Sequence, residues 1–438
     1  MQRRTRRPVI GLVATGLVAA LAACSGTSGG AGGGGGGGDD AGSGEQVELR
    51  LAWWGADARH EATQEVIDLF EAEHPDITVV GDFSDWGGYW DRLATATAGG
   101  DMPDVMQMDG QYLATYADRG ALLDLRGTAV RTDAIDEAAL AAGEVDGGLY
   151  GVVNAVNSWS VVTNRTLLEA AGVEVPDDTA WTWDDLASLA AAVSAAGVDG
   201  AVGLQDYALT QGTIDQFARQ QGEDLWTADG DLGVSEETMV AYWELALELL
   251  ESGALPSAAA QNEALGVTQD QSGTATNRAA FGFWWSNQLG ALQATSGQDL
   301  VLLRPPLDED GDRGIWYRPS QFWSASASSE HPEEAALLID FLVSSTEAGE
   351  VLLAERGTPA NVEVRESVRP LLSEQDQAIA EYLDAIAEEL DGVATLPPAG
   401  SSDFESTLRR YTSEVYFGSM TPEQAAPAFL TEVRSMLG

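Results

Sequence analysis

The sequence contains no lysine, one cysteine and three histidines, and each scarcity excludes a class of protein. All 22 basic residues are arginine, against 70 acidic residues, so the formal net charge is −48. Binding to nucleic acid or to an anionic lipid surface needs clustered cations, which this composition does not supply. Cys24 has no second cysteine with which to form an internal disulfide. His60, His74 and His331 are scattered along the chain, which argues against a histidine-based site.

The N-terminal segment has the pattern of a secretory lipoprotein signal. Four arginines within residues 2–7 precede an apolar stretch over 9–20, which is too short for a membrane span of about 20 residues. The following Leu21-Ala22-Ala23-Cys24 resembles a bacterial lipobox, in which the cysteine thiol receives a diacylglyceryl group. We predict a signal peptide over 1–23 and lipidation of Cys24. An ordinary signal peptide with an incidental cysteine is the alternative.

A glycine-rich segment separates Cys24 from the rest of the chain. Residues 24–46 include the run Gly32–Gly38 and offer few side chains to bury, so a flexible tether is expected. Two acyl chains are enough for stable anchoring. The predicted location is therefore the extracellular face of the cell membrane, with the folded part held there by the lipid on Cys24.

The roughly 390 residues after the tether exceed one hydrophobic core and predict two domains. Strand and helix periodicities alternate: strands over 47–53, 77–83 and 104–108, and helices over 58–73 and 89–98. This order predicts an α/β fold on a mostly parallel sheet. Because ligands of such sheets bind beyond the carboxyl ends of the strands, attention falls on Trp54, residues 84–86 and residues 109–112.

Three further tryptophans are assigned to packing. Trp53 alternates with the core-facing residues of the first strand. Trp181 and Trp183 flank Thr182, which with Asp185 predicts a capping box at the start of a helix.

A series of short motifs follows one another with characteristic spacing. They are Trp53-Trp54-Gly55 with Arg59-His60, Trp86-Gly87-Gly88-Tyr89, Ala98-Gly99-Gly100 with Pro103-Asp104-Val105, Ala279 to Trp285, Arg318 to Phe322, and His331 to Ala336. Together they resemble the extracellular solute-binding proteins of bacterial ABC sugar importers, in the family 1, oligosaccharide-binding type. The resemblance spans most of residues 47–360.

This resemblance implies a two-lobe, periplasmic-binding-protein-like fold with an interlobe ligand cleft and crossing hinge strands. Lobe one would comprise 47–153 plus 275–318, and lobe two 157–272 plus 323–438. The implied function is high-affinity binding of an extracellular carbohydrate, an oligosaccharide, and its delivery to the membrane permease subunits of an ABC importer. The protein is expected to be a monomer, not an enzyme, and to need no cofactor.

The aromatic content independently favours a sugar. The apolar faces of sugar rings stack on aromatic planes, and their hydroxyls pair with polar side chains. Thirteen tryptophans make such stacking plausible, and the neighbours Trp284 and Trp285 should face opposite sides of one strand. The predicted ligand-binding residues are Trp54, Asp57, Arg59, Asp85, Trp86, Tyr89, Asp109, Gln111, Asn157, Trp159, Trp284, Trp285, Asn287, Arg318 and Gln321. Arg59 either pairs with an acidic sugar or, as we favour, with a neighbouring carboxylate.

Two other functions stay open. An exported glycoside hydrolase needs one carboxyl of raised pKa and a second about 5–10 Å away, but no carboxylate pair lies in a hydrolase-like motif. The second alternative function is the binding of a non-sugar solute. The acidic segment 308–312 is interpreted as a hairpin tip, because a calcium loop needs a glutamate at its twelfth position and Pro319 stands there. No metal is expected, and the sequence leaves open whether the sugar is neutral or uronic.

Overall fold

The computed structural model describes residues 46–227, 229–390, 395, 397–398 and 400–437. The predicted signal peptide, Cys24 and the tether up to residue 45 lie outside the described residues. The predicted strands and helices of the first hundred described residues are confirmed to within three residues at each end.

The strands of the described residues are β1 (Val47–Trp54), β2 (Ile77–Ser84), β3 (Val105–Met108), β4 (Glu144–Val145), β5 (Gly148–Leu149), β6 (Val152–Asn164), β7 (Val202–Leu204), β8 (Ala279–Trp285), β9 (Leu300–Leu303), β10 (Tyr317–Ala325) and β11 (Thr358–Pro359). The helices are α1 (Asp57–Glu73), α2 (Trp86–Gly99), α3 (Gly110–Asp118), α4 (Glu137–Ala141), α5 (Arg165–Ala171), α6 (Trp183–Ala196), α7 (Gln211–Gln220), α8 (Glu236–Glu251), α9 (Ala258–Ala264), α10 (Leu289–Ser296), α11 (Pro332–Ser344), α12 (Thr346–Leu352), α13 (Val362–Val368), α14 (Glu374–Ile386), α15 (Phe404–Tyr416) and α16 (Pro422–Leu437).

The main sheet is mixed, and the expectation of a mostly parallel sheet is wrong beyond its first strands. Its order is β2-β1-β3-β10-β6-β8-β7, with β9 and β11 also pairing with β6. The pairs β1–β2, β1–β3 and β7–β8 are parallel. The strands β6 and β10 run antiparallel to their neighbours, because the chain returns through the middle of the sheet without a helical crossover.

Strand β6 joins the two ends of this sheet. Its first part, Val152–Ser158, pairs with β10 and β11, and its last part, Trp159–Asn164, pairs with β8 and β9. Strand β10 pairs with β6 on one side and with β3 on the other. The two long strands therefore cross between the halves of the molecule, where the resemblance places its hinge.

Two separate hydrophobic cores flank this crossing. The first core contains Leu51, Val66 and the start of β6, and the second contains Trp159 and Val161 of β6 with Leu249 and Phe429. Each core packs helices against its part of the sheet, which is the two-layer solution for burying an apolar sheet face. The fold is thus α/β, and its two cores agree with the two domains that the length of the chain predicted, whereas the sheet is mixed.

Several elements lie in a different core from the one their predicted lobe implies, among them α11, α14 and β8. Helix α11 joins the first core through Leu338 and Ile339, although the predicted range 323–438 belongs to lobe two. Strand β8 joins the second core through Phe281 and Phe283, although it falls in the range predicted for lobe one. Because membership of a core does not fix where one lobe ends, the lobe boundaries stay a prediction.

Local sequence explains how the helices next to the sheet begin. Asp85 caps α2 by accepting a hydrogen bond from the backbone N–H of Gly88, and Asp109 caps α3 by accepting one from that of Gln111. The capping box predicted at Thr182 and Asp185 is present at the start of α6. Such caps satisfy backbone N–H groups that have no partner within the helix.

A candidate ligand-binding cleft

An aromatic group surrounds the carboxyl end of β1, and we call it the first aromatic cluster. Its members are Trp54, Trp86, Tyr89, Trp90 and Tyr112. Ring centroids lie 5.0 Å apart for Trp54 and Trp86, 5.6 Å for Trp54 and Trp90, and 3.9 Å for Trp90 and Tyr112. The members come from β1, α2 and α3, so the carboxyl ends of neighbouring parallel strands bring them together.

The members of the first aromatic cluster differ in what they can offer a ligand. Trp86 keeps 41% of its surface exposed, whereas Trp54 and Tyr89 are buried. The Tyr89 hydroxyl donates a hydrogen bond of 2.6 Å to the Gln107 carbonyl, and burial raises the pKa of Tyr89 well above its usual value. Trp86 is therefore the open stacking surface, and Tyr89 supports it from within the protein.

Sequence reasoning missed Trp90 and did not select Tyr112 from the range it highlighted. Trp90 follows Trp86 by four residues, so both lie on one face of α2, and this spacing is the signal that identifies it. The indole N–H of Trp90 is buried and has no hydrogen-bond partner within the described residues. A buried donor of this kind is normally satisfied, so Trp90 is a candidate donor to a ligand.

A second aromatic group, here the second aromatic cluster, consists of Trp159, Phe283, Trp285 and Trp316. Trp159 and Trp285 are register partners on β6 and β8, with centroids 4.8 Å apart. Trp285 and Trp316 meet edge to face at 5.7 Å. Trp159 packs so closely on Gly212 that a side chain at residue 212 would lie 2.6 Å from its ring. These contacts fix the cluster between three separate segments of the chain.

The alternation predicted for Trp284 and Trp285 is confirmed. Trp285 joins the second aromatic cluster, whereas Trp284 packs against the first core and donates its indole N–H to Thr274 Oγ1 at 3.1 Å. Trp285 is therefore the member of the pair that faces the other aromatic rings.

Two arginines stack on the second aromatic cluster. The Arg318 guanidinium lies 4.7 Å from the centroid of Trp285, and that of Arg219 lies 4.8 Å from the centroid of Trp316. Arg219 also forms a buried ion pair with Asp215 at 3.0 Å. Burial raises the pKa of Asp215 to about 6, although the charge of Arg219 opposes this rise.

Arg318 connects the second aromatic cluster electrostatically with the first. Its side chain is exposed to solvent, and partial desolvation lowers its pKa while the charges of Asp109 and Asp215 raise it. Asp109 caps α3, which carries Tyr112 of the first aromatic cluster, and its own pKa is raised by burial. Asp215 lies on α7, which packs in the second core. Arg318 thus interacts with a carboxylate from each half of the molecule.

Polar side chains line the crossing strands. Asn157 donates to Ser320 Oγ at 2.8 Å, and Gln107 donates to Gln321 Oε1. The Oδ1 atom of Asn157, the Oε1 atom of Gln107 and the indole N–H of Trp159 are buried without a partner within the described residues. Strands β3 and β6 therefore hold two acceptors and one donor that have no protein partner within the described residues and that a polar ligand could satisfy.

Other predicted site residues take different positions. Arg59 makes a forked pair with Glu355 at 2.8 and 2.9 Å and donates to the Trp54 carbonyl at 3.2 Å, which is the neighbouring-carboxylate arrangement that we favoured. Asp57, Gln111 and Asn287 are exposed. A direct ligand contact for these four residues stays a prediction.

Neither a metal site nor a membrane span can be identified in the described part of the chain. Over those residues, no three side chains of histidine, cysteine, aspartate or glutamate are grouped suitably for a metal ion. None of the described helices combines the length and the apolar character needed to cross a bilayer.

Two cores, two crossing strands and the aromatic clusters beside them are the features of a two-lobe solute-binding protein. The chain belongs to the bacterial extracellular solute-binding protein family, whose family model matches residues 56–348.

Solved structures support this assignment over nearly the whole chain. An extracellular solute-binding protein of family 1 from Alicyclobacillus acidocaldarius is 28% identical with a TM-score of 0.81, and the match covers 90% of this chain and 99% of that one. A periplasmic oligogalacturonide binding protein from Yersinia enterocolitica, in complex with saturated digalacturonic acid, is 25% identical with a TM-score of 0.66, over 89% and 98% of the two chains.

Curated relatives match shorter regions. An uncharacterised lipoprotein from Streptomyces antibioticus is 29% identical over 139 residues, which is 31% of each chain. The chain spans less than half the length of the curated relatives that it matches.

Proposed function

We propose that this protein binds an extracellular oligosaccharide between the two aromatic clusters and delivers it to the permease subunits of an ABC importer. The observation that carries the proposal is the combination of the exposed indole of Trp86 and the partly exposed indole of Trp285 with unpartnered polar atoms on β3 and β6. Sugars need both kinds of partner, since their rings have apolar faces and hydroxyl edges.

The family and its neighbours support a carbohydrate as the ligand. The similar Yersinia protein is named as an oligogalacturonide binding protein, and the family model describes extracellular solute binding. The crossing of β6 and β10 between the two cores supports a hinge, because a few residues at such crossings absorb the backbone change when two lobes close.

A lipid anchor on Cys24 is part of the same proposal. The lipobox-like Leu21-Ala22-Ala23-Cys24 motivates it, and a relative described as a lipoprotein supports it. An anchored binding protein stays next to the permease that it serves. Cys24→Ala should release the protein from membranes into the medium, with Ser25→Ala as the matched control. Persistent detergent-sensitive attachment of the Cys24 variant would contradict the anchor.

The binding function is tested by a thermal-shift screen against neutral and uronic oligosaccharides, followed by mass spectrometry of the recovered ligand. A bound sugar raises the apparent melting temperature by mass action, and the sugar should be recovered intact. Steady turnover would favour the glycoside hydrolase instead. A non-sugar solute would be indicated if amino acids or peptides, screened in parallel, stabilised the protein and no sugar did.

A further inference from the structure

Three neighbouring strands bring Arg318 over the indole of Trp285. Strand β6 lies between β10 and β8, and Asn157 and Trp159, two residues apart on β6, point to the same face of the sheet. Their register partners are Arg318 on β10 and Trp285 on β8, respectively, and register partners share a face. The Arg318 side chain therefore passes over β6 to lie 4.7 Å from the centroid of Trp285.

The stacked guanidinium of Arg318 is held weakly. Within the described residues it forms neither an ion pair nor a hydrogen bond, and its side chain is exposed. Arg219 lies at a similar distance, 4.8 Å, from the centroid of Trp316. Arg219 is buried, however, and it pairs with Asp215 at 3.0 Å and with Asp224 at 3.6 Å. Arg318 is therefore free to leave its indole, whereas Arg219 is fixed on the other one.

The guanidinium of Arg318 covers the side of Trp285 that a ligand can reach. The ring contacts of Trp285 are with Trp159 at 4.8 Å and with Trp316 at 5.7 Å, and both of these indoles are buried. Trp285 itself is only partly exposed. Because buried rings pack on its inward side, the surface under the exposed guanidinium is the one open to a sugar ring.

Two polar groups on the strand under the Arg318 side chain lack partners. Asn157 is 5% exposed and Trp159 is 3% exposed. The Oδ1 atom of Asn157 and the indole N–H of Trp159 have no hydrogen-bond partner within the described residues, although buried polar groups are normally satisfied. A sugar that replaces the Arg318 side chain would place its hydroxyls next to both residues.

Resting on the proposed function, we propose that Arg318 covers a sugar subsite on Trp285 when no ligand is present, and that a sugar ring replaces its guanidinium on the indole. Asn157 and Trp159 supply an acceptor and a donor for the hydroxyls of that sugar. A cation–π contact at an exposed site favours the covered position roughly twofold to fivefold. A stacking surface strengthens binding by roughly fivefold to more than a hundredfold, so the sugar displaces the guanidinium.

The covered position of Arg318 makes the subsite selective. With a preference of roughly twofold to fivefold, about a sixth to a third of the molecules have the indole of Trp285 uncovered. The apparent dissociation constant of any ligand is its intrinsic value divided by this fraction. A solute without an apolar face gains nothing on the indole in return, whereas a sugar ring does.

The test measures the affinity of Arg318→Ala for maltotriose, cellotriose and trigalacturonic acid by calorimetry, in high salt that screens the removed charge. The trisaccharide that binds the unmodified protein best should bind Arg318→Ala roughly threefold to sixfold more tightly, because the covered position is lost. The melting temperature should stay unchanged, since the side chain is exposed. Arg434→Ala, which removes an exposed arginine from α16, is the control and should leave the affinity unchanged.

A double variant assigns the gain to Trp285. In the Trp285→Ala protein, the further change Arg318→Ala should alter the affinity by less than about twofold, because the covered surface no longer exists. An equal gain with and without Trp285 would overturn the inference, as would unchanged or weaker binding by Arg318→Ala alone, and either result would leave the proposed function standing. If no trisaccharide bound the unmodified protein or Arg318→Ala, both the inference and the proposed function would fall.

Discussion

The two aromatic clusters are built from different parts of the chain, and their side chains differ in exposure and in charged neighbours. The first aromatic cluster comes from one stretch of chain, residues 54–112, and includes Trp86 with 41% of its surface exposed. The second aromatic cluster comes from three distant segments, is largely buried, and has Arg219 and Arg318 stacked on its indoles. We infer from this difference that the two clusters contact a ligand in different ways. The first cluster offers it an adaptable apolar surface, and the second offers it a rigid polar surface.

The largest effect is expected on the free energy of unfolding, when the buried ion pair beside the second aromatic cluster is broken. Asp215→Asn leaves Arg219, which is 3% exposed, without its nearest carboxylate. Breaking a buried ion pair costs up to about 3–5 kcal/mol of unfolding free energy. Asp224, 3.6 Å from Arg219, remains and lowers this cost, and chemical denaturation measures it. Asp299→Asn, in the exposed pair with Arg165, is the control and should cost about 0–1 kcal/mol. Equal losses would show that the cluster does not depend on the buried pair.

The next prediction distinguishes the role of Trp284 from that of Trp285. Trp285→Ala should weaken oligosaccharide binding about tenfold or more, because a lost stacking surface costs roughly 1–3 kcal/mol, with little change in melting temperature. Trp284→Ala removes a side chain packed on the first core and should lower the melting temperature with less change in affinity. Calorimetry and thermal denaturation of both variants give the comparison, and the reverse pattern would assign the stacking role to Trp284.

A substitution in the first aromatic cluster should weaken ligand binding and leave the stability of the fold unchanged. Trp86→Ala should weaken binding by roughly fivefold to tenfold, the lower end of the stacking range, and leave stability unchanged because its indole is already 41% exposed. Phe83→Ala is a suitable control, since Phe83 is 49% exposed nearby but packs on Trp53 and His60. If Phe83→Ala weakens binding equally, the effect does not belong to the cluster.

The smallest effect is expected at Arg59. Its fork is held by Glu355, so Arg59→Gln should change the dissociation constant of a neutral oligosaccharide by no more than about threefold, within the range of a partly exposed pair. Titration calorimetry measures this change, with Arg92→Gln, in the exposed pair with Asp82, as the control. A tenfold loss at Arg59 alone would mean that its guanidinium contacts the ligand.

The sequence by itself determined the local structure and the place of the first aromatic cluster, with three of its five members. Periodicity predicted β1, α1, β2, α2 and β3. The rule for parallel sheets directed attention to Trp54, Trp86 and Asp109 at one sheet edge. The same reasoning could also have identified Trp90, because it follows Trp86 by one helical turn. These features depend on residues close in sequence, for which spacing specifies geometry.

The tertiary structure alone decided the second aromatic cluster. Strand alternation placed Trp284 and Trp285 on opposite faces, but only the pairing of β8 with β6 shows that Trp285 meets Trp159. The pair of Asp215 and Arg219 looks in sequence like any helical pair four residues apart, and its burial under Trp316 depends on a chain segment almost a hundred residues away. Contacts of this kind follow from how the sheet and the cores assemble, because local spacing carries no information about which distant strand becomes a neighbour.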